Sequence, residues 1–462
     1  MLIPGPPRLD AADSVECRRW LAPAGAMAAI CLGLALQVSN GVLEPTALAR
    51  VVLSFALILV AVLTARPATW VGLDAWLVSL IGAAGLALNL RHLATSPPAL
   101  YLPVQEQGLG PFHVGLTIMA LASAAALFSA RRTTPLQIGL LVAAHAALGT
   151  WIIHQSAGPA IDVHVFHKYA IAALRQGVDP YAITFPDIYG NGAYYGPGTS
   201  VSGQLQFGFP YFPLSLLLSM PGQILFNDPR YAQLAAMELA AVLMTFARPS
   251  GFGLIAAALY LTTPRIFFVL EQSWTEPFLV LGVAAVTYAS CRRSRLLPWL
   301  FGAFIALKQY LVFALPTLLF LVEAPRDRRR VWAFLARAAA VGAAVTLPFV
   351  LWNPAAFWKS VVALQFHQPF RPDALSVLAW WAGGGHDRPG SAISFAVAAA
   401  GSALALWRLP RTAAGFAMAI ALTFMGFFVF SKQAFCNYYF FVIGALCASL
   451  AAWRPPHRPT DA

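Results

Sequence analysis

The chain has 462 residues, 59% of them hydrophobic and only 10% charged, with a formal net charge of +12. A water-soluble chain of this length carries charge on about a quarter of its residues, so the composition excludes an ordinary soluble protein and predicts a helical chain that crosses a membrane repeatedly. The basic excess does not call for nucleic acid: Arg131 with Arg132, "CRRSR" (291–295), "RDRRR" (326–330), Arg408 with Arg411, and Arg454 with Arg458 all sit at the ends of apolar runs, where cytoplasmic loops carry such residues.

The opening segment, "MLIPGPPRLDAADSVECRRW", sets prolines and acids ahead of the first apolar run without a small-residue cleavage site, and is expected to be a retained cytoplasmic tail. A crossing helix needs about 20 apolar residues, fewer where it packs inside the protein. Spans are predicted near 22–38, 50–65, 70–90, 112–130 and 135–153, then 231–247, 252–268, 275–290, 296–322, 331–351, 391–407, 413–430 and 436–453. With the arginine blocks inside, the fifth span ends outside at His154. Residues 154–209 then form a long extracytoplasmic loop, and 352–390 a second one.

Two segments must be treated separately to keep this parity. "PYFPLSLLLSMPGQILF" (210–226) contains Pro213 and Pro221 and cannot cross without carrying "CRRSR" outside, so a short re-entrant or interfacial piece is expected. Residues 296–322 must start and finish inside, which two short helices turning near Lys308 achieve. The fold class is therefore an all-α polytopic membrane protein of about 12–14 crossings, both termini cytoplasmic. Cys17, Cys31, Cys291, Cys436 and Cys447 lie far apart without C-x-x-C spacing, so neither a disulfide framework nor a metal cluster is expected.

The first outer loop gathers charge. In "IDVHVFHKYAIAALRQGVDPYA" (161–182) a helix is predicted after Asp162, running to Gln176, with Gly177 as its stop and "DPY" as the following turn. His164, Lys168 and Arg175 form one polar stripe, and Val163, Phe166, Ala170 and Ala173 another face. That pattern fits a helix lying at the headgroup level, with Asp162 as its N-cap. The four lysines, Lys168, Lys308, Lys359 and Lys432, avoid the arginine blocks. An ionisable group within a span is expensive, so Lys308 is expected to serve a phosphate or a nearby carboxylate. Glu271 and Glu276 are separated by "QSWT"; together they suit acceptor hydroxyls, and their spacing matches no recognised metal-ligand set. Glu238 lies mid-span and is expected to pair structurally. The Gly-, Ser- and Tyr-rich "NGAYYGPGTSVSGQLQFG" (191–208) suits either stacking on sugar rings or a plain flexible connector.

Several of these stretches, in order, resemble the GT-C superfamily of integral-membrane glycosyltransferases. The closest likeness is to glycosyltransferase family 87, the polyprenyl-phosphate-mannose-dependent alpha-mannosyltransferase-like proteins. The stretches are an Asp soon after a span, then "GVDPYA", "FPYFPLSLLLSMP", "TTPRIFFVLEQSWTEPFLVLGVAA" (262–285), "GAFIALKQYLVFALPTLLFL" (302–321) and "LQFHQPFRPDALSV" (364–377). Glu271 stands where the family's segment has Gly. The likeness covers residues 135–453, so 1–134 is expected to be an extension of extra helices and 454–462 a tail.

The resemblance implies sugar transfer from a polyprenyl-phosphate sugar to a glycan or glycolipid acceptor on the extracytoplasmic face of a membrane, the bacterial inner or plasma membrane. Asp162 matches the family's general base, and one carboxylate opposite the leaving group suits inversion. Cations would stabilise the departing lipid phosphate; the candidates are Lys168, Arg175, Lys308, His367, Arg371 and Lys432, with His367 and Arg371 an i, i+4 pair if "FHQPFR" is helical. His164, Tyr181, Glu271, Gln272 and Glu276 are candidates for the acceptor or the sugar. No cofactor is expected, and a divalent metal is not indicated. A transporter or flippase of a lipid-linked or small polar substrate is the competing reading, and a non-catalytic subunit on the same scaffold a third. Transporters commonly show related halves and midplane polar sites, whereas the polar residues here gather in outer loops.

Overall fold

The computed structural model describes residues 20–64, 72–102, 108–128, 133–190, 194–249, 252–387, 390 and 392–454. Cys17, Arg131, Arg132, Arg458 and residues 191–193 lie outside the described residues. The chain is mostly helical. Among the described residues five helices are long and apolar enough to cross a membrane: Leu21–Ser39, Pro45–Leu63, Ala75–Thr95, Thr134–Gln155 and Arg328–Trp352. Shorter apolar helices include Gly110–Ala126, Glu276–Cys291, Ala392–Arg408, Ala413–Val429 and Cys436–Ala452.

Local chemistry sets several helix starts. Glu44 accepts a hydrogen bond from Ala47 N at 2.7 Å, Ser376 from Ala379 N at 3.1 Å and Thr412 from Gly415 N at 3.1 Å, each satisfying an amide that the first turn leaves unpaired. The predicted run 252–268 is not one helix. It is divided into Phe252–Leu261 and Ile266–Glu271, because Pro264 cannot donate to the preceding turn and Arg265 takes a left-handed φ of 68°. Residues 296–322 are divided as well, into Leu297–Ile305 and a 3-10 helix, Gln309–Phe320. Lys308, at the break, reaches Glu276 at the start of its helix, whereas Leu319 O accepts from Arg411 at 2.7 Å, beside an arginine block. The two pieces therefore run in opposite directions with Lys308 at the turn.

Pro213–Phe226 is a helix with Pro213 in its first turn and Pro221 inside. Pro210 O accepts from Gln309 Nε2 at 2.7 Å, and Gly222 sits so close to Asp228, Pro229 and Ala232 that a Cβ would press on their backbones. Both ends of the helix are thus held at the end of the bundle that carries Asp162. The segment after the Asp162 helix is not helical: Phe185–Pro186, Ser200–Val201 and Gln204–Leu205 form a small antiparallel sheet in the order β1-β3-β2.

Among the described residues the apolar core has two main parts and a small third cluster at Ala413, Ala414 and Ala452. The larger runs through the bundle; the second lies under Asp162 and is aromatic, with Phe166, Tyr181, Phe185, Phe207, Phe209, Phe349 and Phe357. The first four helices do not stand apart as an added layer. Leu21–Ser39 is buried along much of its length against Cys436–Ala452, and Gly41, at φ 82°, leaves no room for a Cβ beside the Cys436 backbone.

Candidate active site

Asp162 is the first residue of the helix Asp162–Arg175; extended Ile161 occupies the cap position, without a side-chain cap bond. The Asp162 carboxylate is held at both oxygens: Oδ1 accepts from Val163 N at 2.7 Å and Oδ2 from the Tyr195 hydroxyl at 2.9 Å. Its own amide donates to the Tyr189 hydroxyl at 3.3 Å. Burial pushes the carboxyl above its ordinary value, while Tyr195, the Val163 amide and Arg371 pull it back in part. The result is a fixed, partly exposed carboxylate with raised basicity.

A row of rings leads from this carboxylate to a cation. Tyr189 packs edge-on against Tyr194 at 4.9 Å, and the Arg371 guanidinium lies over Tyr194 at 4.3 Å and over Phe435 at 4.8 Å. Arg371 also makes a two-pronged ion pair with Asp373, at 2.8 and 2.6 Å. Its segment is pinned by backbone bonds from Arg371 N to Lys432 O, Leu375 N to Ala434 O and Leu43 N to Asp373 O.

The second cation is Lys308. Its ammonium donates to Glu276 Oε1 and, at 3.2 Å, to Thr275 Oγ1, and sits 5.1–5.6 Å from the ring centres of Tyr211, Tyr310 and Tyr438. Tyr310 also donates to Glu276 Oε1, at 3.3 Å. Burial holds the Tyr211 hydroxyl well above its ordinary value, and both the Asp162 and Glu276 carboxylates add to this, so one ring senses both ends of the site.

The other predicted residues are distributed differently. Lys168 and Arg175 are exposed on the Asp162 helix. His164 does not share their stripe: it is buried, with Nδ1 unpartnered, because the helix packs its His164 and His167 side inward. Burial lowers both imidazoles to about 4, so neither carries charge near neutrality. A depressed histidine contributes stability above its unfolded value of about 6.5 that is lost as pH falls through its folded value. The apparent melting temperature is therefore expected to fall between pH 6.5 and 4, and a His164→Phe, His167→Phe variant to flatten that fall in a thermal-shift series.

His367 and Arg371 do not form an i, i+4 pair. The short helix Leu364–His367 ends ahead of Pro369, with Gln368 turned to ψ 133°, and His367 Nδ1 donates to Ala363 O at 2.8 Å. Lys432 donates to Gln365 O at 3.1 Å and Gln368 O at 2.6 Å, closing that helix end; burial lowers its ammonium. Tyr181 is buried in the aromatic core, with its hydroxyl donating to Tyr211 O at 3.0 Å, so it supports the site from beneath. Ser360, in the π-helical turn Trp358–Ala363, accepts from Gly208 N at 2.8 Å and donates to Tyr181 O at 3.3 Å, which fixes the same floor.

Glu271 and Glu276 do not act as a pair. Glu276 goes to Lys308, whereas Glu271 accepts from Leu100 N at 2.7 Å and Tyr101 N at 2.9 Å, with buried Gln272 donating to it at 3.3 Å. Glu238 pairs with His145 Nδ1 at 2.6 Å inside the bundle. Among the described residues no group of three or more His, Cys, Asp or Glu side chains is placed to hold a metal ion. The residues that sequence reasoning missed are mostly tyrosines: Tyr189, Tyr195, Tyr211, Tyr310 and Tyr438. The only signal for Tyr195 was the composition of "NGAYYG".

Compared with family models, curated proteins and solved structures, the chain gives no match.

Proposed function

We propose that the chain is a multi-spanning membrane glycosyltransferase of the GT-C type, which transfers a hexose, mannose by resemblance, from a polyprenyl-phosphate sugar to an acceptor hydroxyl. The observation that carries this reading is the Asp162 carboxylate, fixed by Tyr195 and the Val163 amide within one site that also holds Arg371 and Lys308. Asp162 takes the proton of the acceptor hydroxyl as its oxygen attacks the anomeric carbon. The bond from that carbon to the donor phosphate breaks, and Arg371, with Lys308 behind the tyrosines, offsets charge on the departing lipid phosphate.

The surface supports a lipid setting. Leu121, Leu136, Leu351 and Phe128 are exposed on the bundle, a poor surface for water. Trp352, Trp358, Trp380 and Trp381 are exposed towards the Asp162 end, Trp332 and Trp407 beside arginine blocks, as in the aromatic belts of membrane proteins. In this setting the Asp162 end is extracytoplasmic.

The His145–Glu238 contact within the bundle favours the transporter reading, since intramembrane ionisable residues mark transport pathways. One experiment separates the two. Purified wild type in liposomes is given polyprenyl-phosphate mannose on the Asp162 side, with a panel of glycan acceptors. Sugar transfer with no movement of the donor across the bilayer is the expected result; donor movement without transfer on any acceptor replaces the enzyme by a transporter.

A further inference from the structure

The loops of the first four helices reach the site, and they do so through specific bonds. Between Thr95 and Gly110 the chain passes Pro97, whose carbonyl accepts from Arg265 Nη1 at 2.6 Å, and Leu100 and Tyr101, whose amides both donate to Glu271. Arg265 and Glu271 flank the short helix Ile266–Glu271, so the rigid break in the bundle is also the clamp on this loop. The carboxylate is fully buried and each of its oxygens accepts one backbone amide, an arrangement that fixes two successive residues of the loop.

The clamp presents Tyr101 beside Asp162. Its hydroxyl donates to Ala160 O at 3.2 Å, two residues before Asp162, and the residue is 42% exposed. Tyr101 also lies close enough to Tyr189 to oppose that hydroxyl's ionisation, which burial and Asp162 oppose more strongly. Tyr189 contacts Asp162 through the Asp162 amide, and on its other side meets Tyr194, which carries Arg371. Asp162 thus has the Arg371 cation reached through Tyr189 and Tyr194, and Tyr101 bonded to the carbonyl two residues ahead of it.

We propose that Tyr101 is a specificity-determining residue that stacks on a sugar ring of the acceptor, and that Glu271 is the positioning residue that holds it there. The proposal rests on the glycosyltransferase reading for the direction of the reaction. The donor phosphate is assigned to the Arg371 cation, which leaves the exposed Tyr101 for the acceptor near the same carboxylate. An exposed aromatic face held on a fixed backbone suits the apolar face of a pyranose, and orients it at little entropic cost. The N-terminal helices thereby supply part of the substrate site.

The test compares wild type with Tyr101→Ala, Tyr101→Phe and Glu271→Gln in nanodiscs, with mannobiose as acceptor. Tyr101→Ala is expected to raise the acceptor KM about tenfold or more and to leave the donor KM unchanged. Tyr101→Phe, which keeps the ring, is expected to stay near wild type. Glu271→Gln is expected to move the acceptor KM in the same direction as Tyr101→Ala while Tyr101 is still present. An unchanged acceptor KM in a folded Tyr101→Ala protein overturns the proposal and leaves Tyr101 an interfacial anchor. Binding is read separately by saturation-transfer NMR of mannobiose, which needs no turnover. If wild type transfers no sugar, saturation of mannobiose that is lost in Tyr101→Ala still supports the site although the enzyme reading has failed; equal saturation in both, or none with wild type, overturns it.

Discussion

Exchange of Asp162 for Asn is expected to lower sugar transfer about 10²–10⁴-fold, the range that loss of a general base produces. Asn keeps the shape and offers one carbonyl oxygen to the Val163 amide or the Tyr195 hydroxyl, but it has no basic oxygen for the acceptor proton. The fold is retained, because the aromatic core beneath the site does not depend on the charge. The measurement is kcat at saturating polyprenyl-phosphate mannose, with a thermal transition to establish folding; a folded Asn variant with wild-type kcat removes Asp162 from the chemistry.

The same carboxylate sets an acid limit on the rate. Burial raises its value, so wild-type activity is expected to fall with falling pH at a point above the ordinary carboxylate value of about 4. Tyr195 donates to the ionised form, and its replacement by Phe raises the carboxyl further. The acid limb of the Tyr195→Phe profile is therefore expected at higher pH than that of wild type, a displacement that a simple loss of packing does not cause.

Lys308→Met is expected to destabilise the protein by about 3–5 kcal/mol, because it leaves the buried Glu276 carboxylate without its counter-ion. Glu276 Oε2 already lacks a partner, so the Tyr310 hydroxyl at Oε1 is left to offset the lost ammonium. The double variant Lys308→Met, Glu276→Gln removes both charges and is expected to recover most of the loss, since the tyrosines around the ammonium can close on an uncharged side chain. Denaturant midpoints in detergent for wild type, both singles and the double measure the coupling. A loss in the double equal to the sum of the two single losses would show that the two charges do not depend on each other.

The sequence announces the helices through apolar run length alone, and the break at Lys308 through the parity of the arginine blocks. Pro264 marks the other break too, yet an apolar run on both sides hides it. Charge in the first outer loop drew attention to Asp162, and the structure joins it with Arg371 and Lys308. What was not legible were the long-range partners. Helical spacing places His164 beside Lys168, but which side of an outer helix turns inward depends on Phe185, Phe207 and Phe209, which arrive from the following loop. Glu271 and Glu276 are neighbours in the chain and part company because their partners, Tyr101 and Lys308, lie 170 and 32 positions away.

The seat of Leu21–Ser39 has a consequence for biogenesis. Its partner, Cys436–Ala452, lies far along the chain, so Leu21–Ser39 cannot bury its small residues against that helix until the helix is made. Contacts of such sequence separation are slow to close. When they close, Gly41 nestles against the Cys436 backbone, next to the pairing of Val42 with Ala374 and the bond from Leu43 N to Asp373 O. The Arg371 segment thereby gains its bond from Leu43 only when parts of the chain far apart in sequence have come together.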